Sequence, residues 1–315
     1  MQREIFMIKK ARNIQVKGLV QGVGFRPFIY RIAHRYNLSG WVENRNDGVI
    51  IQVEGIAQDL EEFTQAIRNE APVASNIHSI TFEKKTVENF SDFTIVKSEN
   101  TSDRITDISP DIAICDNCLA DMKSQPHRID YPFINCTNCG PRFSIIKDLP
   151  YDRDKTTMQP FVMCEVCREE YSDVLDRRFH AQPVACKNCG PEYELIFEGK
   201  RITDIHEILL QLNTLLQEGK IIAIKGIGGF QIACDAQNEK AVKSLRGRKL
   251  REGKPFAVMF SDIGQVKAFT HLYPSEEKSL SSWRRPIVIV SEKKKLSDSV
   301  SMGFNTIGAM LPYMP

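Results

Sequence analysis

Eight of the nine cysteines in this 315-residue chain fall into four Cys-x2-Cys pairs: Cys115 with Cys118, Cys136 with Cys139, Cys164 with Cys167, and Cys186 with Cys189. No other feature limits the fold as tightly. Seventeen residues separate Cys118 from Cys136 and eighteen separate Cys167 from Cys186, the spacing of a four-thiolate zinc site. Zn2+ takes four thiolates at the corners of a tetrahedron, and two intervening residues let one tight turn offer two of them. The second and fourth pairs both run into Gly-Pro, in CTNCGP and CKNCGP, so a unit of about fifty residues is duplicated. The spacing predicts two structural Zn2+ ions, one per repeat; sharing of ligands between repeats fits the same spacing. Four thiolates leave no open coordination position, so these ions serve structure and not catalysis.

The thiol reading depends on a reducing compartment. The N-terminus, MQREIFMIKK, lacks the apolar core of a signal peptide. The longest apolar runs, such as FAVMF and PIVIV, are too short to cross a bilayer. The expectation is a cytoplasmic protein without membrane attachment. Cys234, alone on a strand, reads as a small core residue. His180, in RRFHAQP, reads as a packing group or a support near the second site rather than a ligand.

The cysteine segment, 101–195, shows few periodic apolar patterns and is flanked by two segments that do. In 1–100, NIQVKG reads as a strand, and Phe25, Phe28, Ile29, Ile32, Ala33 and Tyr36 recur at helical spacing. SGWVEN and GVIIQVEG are strands joined by the turn signal RNDG. A second helix carries Leu60, Phe63 and Ile67 on one face, and IHSITFEKKTV and FTIV close the segment as strands. The order β-α-β-β-α-β is a ferredoxin-like split unit. In 196–315, an amphipathic helix carries Ile205, Ile208, Leu209, Leu212, Leu215 and Leu216, followed by strand IIAIK and the glycine loop GIGG. A helix around Ala241, Val242 and Leu245, strands KPFAVMF and RPIVIV, and the apolar run GAMLPYMP complete an α/β segment. The fold class is therefore α+β and multidomain.

GLVQGVGFRPF sets three glycines before a helix. Successive backbone amides in such a loop point at one concavity, and the helix dipole adds positive potential there. Gln21, Gly22, Val23, Gly24, Phe25 and Arg26 would line a phosphate cradle, with the Arg26 fork suited to bidentate contact. Taken alone, the loop reads as well as a tight turn beside a surface arginine. Asn44, at the end of strand SGWVEN, tips the choice. In the split unit that strand end comes near the loop, where its amide would hold a water while Arg26 holds a phosphoryl group. Positioning and charge stabilisation of this kind suit hydrolysis of an acyl phosphate.

VKGLVQGVGFRPF and SGWVENRNDGVIIQVEG resemble the acylphosphatases. On that resemblance Arg26 matches the phosphate-binding arginine and Asn44 the water-positioning asparagine, both catalytic. YPFINCTNCGPRFSI, TTMQPFVMCEVC and DRRFHAQPVACKNCGP extend the likeness to the HypF family of hydrogenase maturation carbamoyltransferases, over essentially the whole chain. The resemblance implies an acylphosphatase-like domain (1–100), a tandem four-cysteine zinc-finger domain (101–195) and an incomplete YrdC-like nucleotide-binding domain (196–315). It implies hydrolysis of carbamoyl phosphate, then formation of carbamoyl-adenylate with ATP and Mg2+, then transfer to a cysteine of a HypE-type partner. The transferase domain, and the serine and asparagine motif that completes the nucleotide site, would lie beyond Pro315. The expectation for these residues is hydrolysis without transfer.

LRGRKLREGKPFAVM packs five cations into nine residues, Arg246 to Lys254, and a solvated helix face is its plain explanation. The resemblance assigns nucleotide phosphate contacts to Lys225, Arg246, Arg248 and Lys254, with Arg246 standing where relatives carry a lysine. A rival reading takes tandem zinc modules plus a basic run as a nucleic-acid-binding or regulatory protein. The net charge of +2 and the lack of aromatic-basic interleaving in the zinc repeats argue against nucleic acid as a partner.

Overall fold

The computed structural model describes residues 9–97 and 107–315. The expected boundary at 100/101 lies outside the described residues, as does most of MQREIFMIKK. The chain divides into two compact units, Met1–Asp111 with Asn135–Gly190, and Ile112–Ile134 with Pro191–Pro315.

The first unit is built on β1 (Lys9–Leu19), α1 (Phe25–Arg35), β2 (Ser39–Arg45), β3 (Gly48–Ile56), α2 (Ala57–Asn69), β4 (Asn76–Lys85) and β5 (Phe93–Ile95). The sheet order is β4-β1-β3-β2-β5. Neighbours among the first four strands pair antiparallel, and β5 runs parallel to β2. This is the expected split β-α-β-β-α-β sheet with one added edge strand. Alternation in β1 places Ile14 and Val16 on one face, both buried, with Arg12 of the same face reaching the Leu60 carbonyl of α2 at 3.3 Å. Phe25, Phe28, Ile29, Ile32 and Ala33 of α1 and Leu60, Phe63 and Ile67 of α2 are buried as well. Each fully buried side chain of that size contributes roughly 1.5–3 kcal/mol. Tyr36 falls just past the helix as its C-cap. RNDG closes the β2–β3 hairpin, with Arg45 opposite Gly48. The central strand β3 is buried along almost its whole length. Glu54 on it accepts from the backbone amides of Asn89 at 2.9 Å and Phe90 at 3.3 Å, which satisfies a carboxylate that is 1% exposed.

The cysteine segment carries short helices: α3 (Asp116–Ser124) and α4 (Glu165–Ser172), each preceded by the first cysteine of a pair at its N-cap, Cys115 and Cys164. Two 3-10 turns, Phe143–Ile145 and Arg153–Lys155, lie between them. As expected, regular structure is sparse here.

The second unit continues with the hairpin β6 (Leu195–Phe197) and β7 (Lys200–Ile202), α5 (Ile205–Gln217), the hairpin β8 (Ile222–Gly226) and β9 (Gly229–Ala233), and α6 (Glu239–Arg248). Then come β10 (Ala257–Met259), α7 (Ile263–Phe269), β11 (Thr270–His271), α8 (Pro274–Leu280), β12 (Val288–Glu292), α9 (Asp298–Ser301) and β13 (Thr306–Met310). Its sheet has the order β10-β13-β12-β11, parallel between β10 and β13 and antiparallel elsewhere. The apolar run GAMLPYMP supplies part of an inner strand, with Ile307 and Ala309 buried beside Val258, Val290, Val266 and Leu280. Two details differ from the periodicity reading. GIGG is the turn of a hairpin whose return strand the periodicity did not show, since Phe230 to Ala233 pair back onto β8. In α5 only Ile208 and Leu215 are buried, while Leu209 is exposed. No described helix is long and apolar enough to cross a membrane.

Candidate active site and metal centres

The loop from Val20 to Gly24 enters α1 at a left-handed N-cap: Gly24 has φ 78°, and Gly22 has φ 71°. These are backbone conformations that side chains disfavour. Space is equally tight. A Cβ at Gly22 would stand 2.8 Å from Cγ of Arg142, and one at Gly24 would stand 2.6 Å from Cγ2 of Thr137. The glycines therefore serve two ends: they set the turn and let residues of the cysteine segment close over it.

Arg26, in the first turn of α1, is 7% exposed. Its Nη2 donates to the Tyr151 carbonyl at 3.2 Å and pairs with Oδ1 of Asp152 at 2.8 Å. The Asn44 amide sits with its oxygen toward Arg26, accepting from Nε at 3.1 Å and from Nη2 at 3.2 Å. The opposite orientation would set its NH2 against guanidinium donors. Arg26 and Asn44 are thus brought together, as the split-sheet argument required. The side chain of Gln21 is occupied otherwise. It donates to the Gly48 carbonyl at 3.1 Å and accepts from the Tyr151 amide at 3.1 Å, so Gln21 is left with only its backbone to offer the cradle.

Several residues of this pocket were not anticipated. Arg142 is fully buried and donates to the carbonyls of Gly22, Gly140 and Thr137. Its backbone amide is held by Asp111 at 3.0 Å. Tyr151, buried, has its hydroxyl pushed up to about 12 by desolvation. His180 lines the same cavity and is not part of either cysteine set; burial first, and Arg26 second, lower it to about 4, so it is neutral near pH 7. Gln182 and Tyr171 hydrogen bond to each other at 3.1 Å. The cavity between these groups measures about 30 Å³, room for about two waters. One signal was present in the sequence: the duplicated frame reads CGPR at Arg142 and CGPE at Glu192, a divergence that marks the copy packed on the glycine loop.

The cysteines gather as two sets, Cys115, Cys118, Cys136 and Cys139, and Cys164, Cys167, Cys186 and Cys189, with all sulfurs of a set within 4.8 Å of one another. Ligands are paired within repeats and not between them. Four sulfurs about 2.3 Å from one Zn2+ stand about 3.8 Å apart on a tetrahedron. The observed separations are 3.7 Å for Cys136–Cys139 and Cys164–Cys186, 3.8 Å for Cys186–Cys189 and 3.7 Å for Cys167–Cys189. A disulfide would need about 2.0 Å. The donor sets fit two Zn2+ ions.

In the second unit Lys225, Arg248 and Lys254 are exposed, while Arg246 is buried. The Arg246 guanidinium donates to the carbonyls of Ser299 at 2.6 and 3.0 Å, Arg251 at 2.7 Å, Lys254 at 3.1 Å and Glu252 at 3.2 Å. It also stacks over Phe256 at 4.6 Å. A lysine could not satisfy so many acceptors in one plane, which explains an arginine here. Arg246→Ala is expected to destabilise this unit by about 3 kcal/mol, since several carbonyls lose their donor; urea unfolding measures it, and an unchanged midpoint would show that the cage is dispensable. A cavity of about 530 Å³ in this unit is lined by Cys234, Phe256, Val258, Phe269 and neighbours, within the range of small-molecule sites; Lys225, Arg246, Arg248 and Lys254 are not among its lining residues. Cys234 packs against the core and also faces that cavity.

Comparison with known proteins agrees with this layout. Residues 12–95 match the acylphosphatase family model, 114–146 and 163–196 the HypF finger model, and 214–315 the model described as telomere recombination, of Sua5/YciO/YrdC type. An acylphosphatase of Staphylococcus haemolyticus is 44% identical over 85 residues, covering 27% of this chain and 96% of that protein. Carbamoyltransferase HypF of Rhodobacter capsulatus is 40% identical over 97% of this chain and 41% of its own length; a probable carbamoyltransferase HypF of Methanocaldococcus jannaschii is 45% identical over 98% and 41%. The crystal structure of full-length HypF in the phosphate- and nucleotide-bound form superposes with a TM-score of 0.92 at 46% identity, covering 99% of this chain and 41% of that one. The chain thus spans about two fifths of the length of the HypF relatives it matches. With an acylphosphatase segment, duplicated HypF fingers and a Sua5/YrdC-type segment in one chain, this protein belongs to the HypF carbamoyltransferase family.

Proposed function

We propose that this chain hydrolyses carbamoyl phosphate at the Arg26 cradle. The observation that carries the reading is the convergence of Arg26 and Asn44, at 3.1 and 3.2 Å, on a glycine loop that opens α1. The phosphoryl group takes the Arg26 guanidinium and the amides of Gly22 to Arg26. With its oxygen held by Arg26, Asn44 keeps its NH2 to orient a water. That water attacks phosphorus, and the P–O bond to the carbamoyl group breaks. Carbamoyl phosphate dianion and water thereby give carbamate and dihydrogen phosphate, each singly charged. Little covalent chemistry is asked of the protein; positioning and charge stabilisation carry the rate.

In a chain as long as the HypF relatives, the carbamate would next be joined to ATP, supplied as its Mg2+ complex, to form carbamoyl-adenylate, and the carbamoyl group would pass to a cysteine of a HypE-type partner. Lys225, Arg248 and Lys254 are the exposed cations proposed to meet the nucleotide phosphates. Arg246 is proposed to shape the loop that carries Lys254. The three modules are proposed to run 1–100, 101–195 and 196–315. Reduced thiols at both cysteine sets favour the cytosol as the compartment.

Asn44→Ala is expected to lower kcat for carbamoyl phosphate about 10²- to 10³-fold with little change in KM, read as phosphate release. An equal loss in KM, or no loss at all, would remove Asn44 from the water-holding role.

A further inference from the structure

Besides the Asn44 oxygen, two acceptors cover the guanidinium of the cradle: the Tyr151 carbonyl at 3.2 Å and the Asp152 carboxylate at 2.8 Å. Both partners of the ion pair are shielded, with side chains 7% and 18% exposed. The segment bearing them is pinned on both sides. The Tyr151 amide donates to Gln21 at 3.1 Å, and the Arg153 amide donates to the Gln182 side chain at 2.8 Å. The Arg153 guanidinium holds the carbonyls of Gln182, Val184 and Phe161 at 2.6, 2.9 and 2.7 Å. Asp152 is therefore placed by its surroundings.

A carboxylate beside a phosphate cradle opposes the ligand the cradle is built for. It competes for the guanidinium, and it repels the incoming anion. The cavity of about 30 Å³ does not admit a phosphoryl group until the carboxylate yields Arg26. Once it yields, a shielded carboxylate needs a donor. The phosphoryl half of an acyl phosphate dianion brings none. The acyl half can: a carbamoyl group carries two N–H donors where an acetyl group carries a methyl.

We propose that Asp152, aided by the Tyr151 carbonyl, is a specificity-determining residue that exchanges Arg26 for the amino group of the substrate and so selects carbamoyl phosphate over acyl phosphates without N–H donors. This rests on the acyl phosphate reading above. The carboxylate acts against the wrong substrate, which leaves it unpaired, as much as for the right one.

The test is phosphate release from carbamoyl phosphate and from acetyl phosphate by the full 315-residue chain, as wild type, Asp152→Ala, Asp152→Asn and Arg26→Ala. The expected result is a kcat/KM ratio favouring carbamoyl phosphate in the wild type that falls about 10- to 100-fold in Asp152→Ala, chiefly because acetyl phosphate gains. Asp152→Asn, which is isosteric and keeps an acceptor oxygen, should fall between them and should bind inorganic phosphate more tightly than the wild type in titration calorimetry. A purely structural role would move both substrates together. Turnover that needs Arg26, with a ratio unchanged in both Asp152 variants, overturns the selection and leaves the hydrolytic reading intact. No turnover in the wild type, or turnover that survives Arg26→Ala, overturns the hydrolytic reading and the selection with it.

Discussion

Arg26→Ala is expected to lower kcat/KM for carbamoyl phosphate about 10³-fold, the upper range for removing one donor preorganised at developing charge. The effect should appear in both kcat and KM, because the guanidinium holds the phosphoryl group before and during bond breaking. The substitution also strands the Asp152 carboxylate, which loses its 2.8 Å partner. Arg26→Ala combined with Asp152→Asn separates the two consequences. The double variant should recover thermal stability and should not recover turnover. Arg26→Lys should restore little, since an ammonium cannot offer Nε to Asn44 and Nη2 to Tyr151 together. Phosphate-release kinetics and thermal melts of the four proteins check this. Turnover within a few-fold of wild type in Arg26→Ala would end the mechanism.

Loss of metal is the second large effect. The chain is expected to bind two Zn2+, and Cys186→Ser to bind one, by elemental analysis. A structural zinc site is worth roughly 10–16 kcal/mol of apparent binding free energy, which becomes folding free energy where no other core exists. The Asn135–Gly190 stretch has only a thin apolar core of its own, with Ile145, Met158, Phe179 and Val184 buried. It holds short 3-10 turns and one helix of eight residues, and its buried groups include the polar Arg142, Arg178, Asn135 and Gln182. Limited proteolysis of Cys186→Ser, or of chain treated with a chelator, should cut within 135–190 while the sheet from β1 to β5 remains protected, because that sheet has its own core of Ile14, Ile29, Ile51, Leu60 and Phe63. Cleavage resistance identical to the zinc-loaded chain would refute a structural role for the metal.

Much of this molecule is local in origin and could be read from local signals. The Cys-x2-Cys pairs need only one turn each, so their chemistry is legible without a fold. The α1 stripe and the RNDG hairpin are likewise set by neighbours a few residues away. Arg26 and Asn44 were legible because the split unit brings a strand end to the first loop. For Arg246 the charge is visible in the sequence, but its commitment to the carbonyls of Ser299, fifty-three residues away, and of Arg251, Glu252 and Lys254 is not.

The roof of the cradle lies at the other extreme. Tyr151 and Asp152 meet Arg26 across about 125 residues of chain, and Arg142 meets Gly22 across 120. By itself, then, the sequence determined the ferredoxin-like sheet, the four cysteine pairs and a glycine cradle with one arginine, since periodicity, spacing and backbone freedom act over short ranges; that the pairs group within repeats is a tertiary fact. Only the tertiary structure decided which carboxylate and which carbonyl close over that arginine. Such contacts are set by the path of loops tied to metal and buried hydrogen bonds, and no pattern of neighbouring residues records where those loops return.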